Sequence, residues 1–126
     1  MRLGKKIILA FLFGSAAMVA QANPDIVRAF SNGDMQQISS FLDSSVDLTI
    51  QNNGGTKSRG QAQDAIASFF RNHRPSNFSV THKTEKEKSG LMMGMLYTSS
   101  GNFQVLILTK KDGFKEIIHQ LKIEGK

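Results

Sequence analysis

The sequence of 126 residues contains no cysteine and no tryptophan, and it has only one tyrosine and two prolines. Without cysteine the chain cannot form a disulfide scaffold, a thiolate metal site or a cysteine nucleophile. The scarcity of tryptophan and tyrosine argues against an aromatic platform for sugars or nucleobases. Hydrophobic residues make up 40% and charged residues 21% of the chain, which is typical of a globular protein and excludes disordered and polytopic membrane classes.

The first 22 residues have the three-part order of a secretory signal peptide. Three basic residues lie within the first six positions, residues 7–19 are apolar and uncharged, and Ala20-Gln21-Ala22 forms a small-x-small cleavage site. The alternative, an uncleaved membrane anchor, needs a span of about 20 apolar residues. We therefore predict a signal peptide over residues 1–22 and one domain over residues 23–126. We also expect export to the periplasm or beyond, with no membrane span after cleavage.

Charge and motifs exclude several functional classes. Cleavage would remove three of the 16 basic residues and no acidic residue. The mature chain would then have 13 basic and 10 acidic residues, which is a net charge of +3. A positive charge this small is a weak basis for nucleic-acid binding, so we predict no nucleic-acid partner. No glycine-rich phosphate loop is present, and His73, His82 and His119 lack metal-motif spacing. We accordingly predict no cofactor, no metal and no assigned catalytic residue.

Hydrophobic periodicity and capping residues predict three helices and six strands. Asn23, Asp34 and Ser58 are the expected N-caps, with Ser58 and Gln61 forming a capping box. The second helix carries Phe41 and Leu42 on its apolar stripe. The predicted elements are helices over 24–32, 35–42 and 59–73, and strands over 45–50, 56–57, 78–86, 91–98, 103–110 and 114–124. Residues 103–110 are apolar on both faces, which favours a central strand.

The order α-α-β-β-α-β-β-β-β predicts an α+β domain with helices on the concave face of a curved antiparallel sheet. This order resembles the nuclear transport factor 2-like cone that SnoaL-like polyketide cyclases and ketosteroid isomerases share. A closer resemblance is carried by 25–34 (DIVRAFSNGD), 47–50 (DLTI), Gln61-Ala62, Phe69-Phe70 and 118–124 (IHQLKIE). Together with the leader, they resemble the secreted bacterial family called domain of unknown function 4783. The resemblance implies the cone fold and leaves the activity open.

Six residues are predicted to line a pocket between the sheet and the helices. Strict alternation places His119 on one face with Leu121, and His82 alternates with apolar neighbours in the same way. The methionines of the predicted strand 91–98 could adapt to an irregular apolar ligand. Packing in the core or in a dimer interface is the alternative explanation for them. The predicted lining residues are His119, His82, Tyr97, Met93, Met95 and Phe70. His73 is instead expected to cap the third helix.

We therefore expect a small exported, non-catalytic binding or interaction domain. By analogy with the fold, it would form a homodimer through the outer face of its sheet, and it could hold a small apolar ligand in the cone. An envelope protein is the other partner considered. The alternative function is a SnoaL-like acid/base enzyme, an isomerase, cyclase or hydrolase, that uses a pocket histidine with a carboxylate. The isomerase arrangement is not reproduced, because no tyrosine lies on the first helix.

Overall fold

The computed structural model describes residues 23–125, so the predicted signal peptide lies outside the described residues. Within that range no helix is both long and apolar enough to cross a membrane. The elements in chain order are α1 (Pro24–Asn32), α2 (Met35–Phe41), β1 (Leu42–Ile50), β2 (Asn53–Ser58), α3 (Arg59–Asn72), β3 (Pro75–Glu85), β4 (Ser89–Thr98), β5 (Gly101–Asp112) and β6 (Lys115–Gly125).

The helices begin at the residues that the sequence predicts. Asn23, Asp34 and Ser58 are the three N-caps, and each side chain accepts hydrogen bonds from backbone N–H groups of the first turn. Ser58 Oγ accepts from the Gln61 N–H at 3.2 Å, while Gln61 Oε1 accepts from the Ser58 N–H at 3.0 Å. These bonds satisfy donors that have no partner inside the helix. His73 is the C-cap of α3, as predicted.

The six strands form one sheet in the order β2-β1-β6-β5-β4-β3. Strands β3 to β6 make the predicted antiparallel meander, and β1 pairs with β2 in the same sense. The pairing of β1 with β6 is parallel, so the sheet is mixed and not purely antiparallel as predicted. The two strands are far apart in the sequence, so no local turn signal reveals this pairing. Register shifts in the β1–β6, β3–β4 and β5–β6 pairs bend the strands. The three helices and the six strands of one curved sheet confirm the predicted α+β cone and its element order.

One face of this sheet packs against all three helices. The core joins Ile26 and Phe30 of α1, Ile38 of α2 and Ile66 of α3 to alternate residues of the strands. The most deeply buried strand residues are Val46, Leu48, Leu96, Val105, Ile107, Ile118, Leu121 and Ile123. Side chains therefore occupy the space between sheet and helices in which a ligand was expected.

A cluster of hydrogen-bonded polar residues lies at the edge of the core, where α1 begins. Glu116 accepts a hydrogen bond from Asn23 Nδ2 at 3.0 Å and another from Thr109 Oγ1 at 2.7 Å. Thr109 is the one polar residue buried in the described chain. The cavity beside this cluster measures about 10 Å³, which is room for one water molecule at most. It offers no space for an organic ligand.

Two further details of the sequence interpretation differ from the structure. Leu42, predicted on the second helix, is the first residue of β1, and its side chain is buried there. A single apolar residue at a boundary fits both periodicities, so the pattern could not separate the two. Strand β5 is internal in the sheet as expected, but helices cover only one of its faces.

Candidate functional site

The face of the sheet opposite the helices, called here the outer face, carries an apolar area. On β4 the residues that alternate with the buried ones are Leu91, Met93, Met95 and Tyr97; on β5 they include Leu106 and Leu108. Direct cross-strand pairing joins Leu91 to Leu108 and Met93 to Leu106. All of these side chains stay partly accessible to solvent, Tyr97 most of all at 40%.

The six predicted lining residues do not share one pocket. Phe70 belongs to α3 and is buried in the core, where its ring lies 5.9 Å from that of Phe69. Met93, Met95 and Tyr97 lie on the outer face, and His82 joins them as the cross-strand partner of Met93. The sheet therefore separates Phe70 from Met93, Met95, Tyr97 and His82.

His119 also lies on the outer face, because β6 contains a bulge. Thr109 pairs with Ile118 whereas Leu108 pairs with Gln120, which leaves His119 as an extra residue. A bulge changes the alternation by one residue. Ile118 and Leu121 are consequently both buried, and His119 points away from Leu121, contrary to the prediction from strict alternation.

His119 lines a groove at the end of the outer face, which we call the bulge groove. Its walls include Leu91, Leu108, Lys86 and His119, with Thr84 and Ser89 at the rim, and its volume is about 390 Å³. This volume lies within the range of small-molecule sites. Lys86 comes from the turn between β3 and β4. It was not predicted as a site residue, because it lines the same groove as His119 although the two residues are far apart in the sequence.

An ion pair lies next to this groove. Strand β1 is irregular between Leu42 and Asp47, and Asp43 in that stretch places Oδ2 2.9 Å from Lys110 Nζ. The Lys110 hydrogen bond, and then the bond from the Ser44 N–H, hold the pKa of Asp43 below its usual range; the His119 charge is a minor cause. Within residues 23–125 His119 makes no hydrogen bond to a carboxylate, and Asp43 is the carboxylate on which its charge acts.

We expect Asp43→Asn to lower the free energy of unfolding by about 0.5–1 kcal/mol at pH 7, because the pair is partly exposed to solvent. Folding lowers the pKa of Asp43, so its stabilisation is present above pH about 4. That stabilisation is lost as the pH falls through the lowered pKa of the folded state. Urea unfolding at pH 7 and at pH about 2.5 measures the difference. The exposed Asp47 provides the control, Asp47→Asn, and an Asp43→Asn deficit that persists undiminished in acid would contradict the expectation.

A second groove, the mid-sheet groove, lies nearer the centre of the outer face. Met93 and Leu106 form its apolar part, and Gln104, Lys122 and Glu124 form its polar part. Its volume is about 200 Å³. Lys122 Nζ and Glu124 Oε2 are 3.7 Å apart, so opposite charges stand side by side on an apolar background. No group of three or more metal-ligating side chains occurs in the part of the chain that the structure describes.

Comparison with known proteins places the chain in a family and a fold. Residues 23–124 match the family model described as "Domain of unknown function (DUF4783)". No curated protein sequence matches the chain.

A crystal structure of a DUF4783 family protein from Bacteroides uniformis ATCC 8492 is 33% identical, with a TM-score of 0.79 over 84% of this chain and 98% of that one. The family protein from Bacteroides fragilis YCH46 is 29% identical, with a TM-score of 0.78 over 84% of this chain and 100% of that one. An NTF2-like protein from Cytophaga hutchinsonii ATCC 33406 shares the fold at 14% identity, with a TM-score of 0.57 over 82% of this chain and 91% of that one. The predicted resemblances are confirmed: the chain belongs to the DUF4783 family, and its fold is NTF2-like.

Proposed function

We propose that this protein is an exported, non-catalytic interaction domain that pairs with a second copy of itself through the outer face. The observation that carries the proposal is the distribution of apolar side chains. The helix-facing side of the sheet is filled by its own core, whereas Leu91, Met93, Leu106 and Leu108 stand on the opposite side. Contiguous apolar area of this kind on a protein surface favours an interaction site.

The size of the face suits a dimer. Strands β3 to β6 have 10–12 residues each, so they are about 37 Å long and together about 19 Å wide. Their outer face therefore has a projected area on the order of 700 Å². A stable interface buries about 800 Å² on each partner, so this face is large enough once the side chains that stand on it are included.

The charges on the face favour a second copy as the occupant. Lys122 and Glu124 lie together beside the apolar residues of the mid-sheet groove. In a two-fold symmetric dimer the same patch meets itself. A rotated copy can then present its Glu124 to Lys122 and its Lys122 to Glu124, so the patch is self-complementary in charge as well as apolar at its centre.

The oligomeric state of residues 23–126 tests the proposal. We expect sedimentation velocity to show a dimer, and Leu106→Lys to raise the dissociation constant at least tenfold, because a charge would enter the apolar centre of the interface. Phe114→Lys is the matched control: it makes the same change in charge at a fully exposed residue of the β5–β6 turn, and we expect it to leave the dimer intact. Circular dichroism checks that both variants are folded.

Two results would overturn self-association. One is a wild-type chain that stays monomeric at the highest soluble concentration. The other is an equal rise in the dissociation constant for Leu106→Lys and Phe114→Lys, which would indicate a general effect of added positive charge. Cell fractionation tests the compartment separately: we expect the mature chain outside the cytoplasm, with Asn23 as its first residue.

A further inference from the structure

We propose that the bulge groove binds a small amphipathic anion, specifically an alkyl carboxylate, with its head group at Lys86 and His119 and its chain on Leu91 and Leu108. This ligand differs from the purely apolar one expected inside the cone, and its site is on the other side of the sheet. The groove shares Leu91 and Leu108 with the face proposed for self-association, so the ligand is also tested on Leu106→Lys, in which that association is expected to be weakened.

The charged lining of the groove selects a negatively charged head group. Lys86 and His119 are its titratable lining residues, and no acidic residue lines it. Glu85, which precedes Lys86, is held 3.2 Å from Lys111 Nζ. Asp43, the carboxylate near His119, is held by Lys110. Asp43 and Glu85 thus have basic partners of their own, while Lys86 and His119 line the cavity.

The walls of the groove suit an alkyl chain. Leu91 and Leu108 are direct cross-strand partners on β4 and β5, so their side chains stand next to each other and form a continuous apolar wall. Polar groups at one end and an apolar wall along the length are the usual composition of a small-molecule site. An ion without an apolar chain would leave this wall in contact with water.

The charge of the groove favours a carboxylate over a phosphate. Lys86 is a lysine ammonium with one positive charge and three N–H donors, and His119 adds an imidazole donor. A carboxylate carries a single negative charge, whereas a phosphate monoester carries close to two at pH 7. The single ammonium therefore balances the charge of a carboxylate head group.

Titration with sodium octanoate, followed by amide NMR of the folded chain, tests the proposal. We expect shifts at residues 89–91, 108–109 and 119. Lys86→Glu should raise the dissociation constant about five- to tenfold, because an attraction becomes a repulsion at a partly exposed site. Lys88→Glu, two residues along the same turn and outside the groove, is the matched control and should change the constant by less than about twofold at physiological salt, where screening acts over about 8 Å.

Two further probes separate head group from chain. Acetate, which has the head alone, should bind far more weakly than octanoate, and the binding of 1-octanol should not respond to Lys86→Glu. The proposal is overturned if octanoate causes no shifts up to about 5 mM, if the shifts centre on the mid-sheet groove, or if both lysine variants weaken binding equally. Repeating the titration on Leu106→Lys separates this result from the dimer test, because the groove retains all of its lining residues in that variant.

Discussion

Phe30→Ala is expected to lower the free energy of unfolding by about 3–5 kcal/mol. Phe30 is fully buried on the sheet-facing side of α1, and its ring centroid lies 5.8 Å from that of Phe78 on β3. Truncation removes the buried ring and leaves a cavity that a close-packed core cannot fill by relaxation. A loss of this size is a large part of the stability of a small domain. Urea unfolding of residues 23–126 measures it.

The same substitution at Phe114 is the control. Phe114 is fully exposed at the turn between β5 and β6, so Phe114→Ala should change the free energy of unfolding by less than about 0.5 kcal/mol. A Phe30→Ala variant that lost under about 1 kcal/mol would mean that α1 does not cover the sheet as described. Because both variants replace phenylalanine with alanine, the difference between their losses in the free energy of unfolding reports the burial of the side chain and not its chemistry.

Gly94→Ala is expected to destabilise the protein by about 2–3 kcal/mol. A Cβ atom at this position would lie 2.6 Å from Phe78 Cε1 and 2.6 Å from the carbonyl oxygen of Ser79. The oxygen belongs to the backbone of β3, which pairs with β4 at this point, so it can move only if the strand moves. Glycine in a strand interior often marks such a close approach. Thermal or urea unfolding of the variant gives the value.

Gly60→Ala adds the same methyl group where nothing lies within 4 Å of it. Gly60 is in the first turn of α3, and alanine there reduces the conformational freedom of the unfolded chain. We expect the free energy of unfolding to rise by about 0.4–1 kcal/mol. If Gly94→Ala lowers the free energy of unfolding and Gly60→Ala raises it, the contact made by the added methyl group decides the effect, and not the loss of glycine itself. A neutral Gly94→Ala would contradict the close packing of β3 on β4.

The local features of this fold were predictable because they depend on neighbours in the sequence. A side-chain cap acts on backbone groups two or three residues away, so Asn23, Asp34 and Ser58 identify their helices directly. The meander of β3 to β6 was predictable for a related reason: short turns can join only antiparallel neighbours. The element order then indicated the fold class, and the resemblance indicated the family.

The outer-face residues were only partly predictable. Apolar residues on both faces of 103–110 predicted a central strand, and Met93 and Met95 of β4 were predicted as lining residues of a pocket inside the cone. Lys86 and the Asp43–Lys110 pair left no local signal, because 67 positions separate Asp43 from Lys110 in the chain. Only the parallel pairing of β1 with β6 and the antiparallel pairing of β6 with β5 bring the carboxylate of Asp43 and the ammonium of Lys110 within 2.9 Å of each other.

The sequence by itself determined the helices, most of each strand and the α+β class, because these depend on periodicity, caps and turns within a few residues. The resemblance to the family came from stretches such as 25–34 and 118–124 and from their order along the chain. Only the tertiary structure decided which side of the sheet carries the candidate site. The core fills the concave side, and the bulge between Ile118 and Leu121 turns His119 to the outer face. A bulge is a property of two paired strands, and residues far apart in the chain set that pairing.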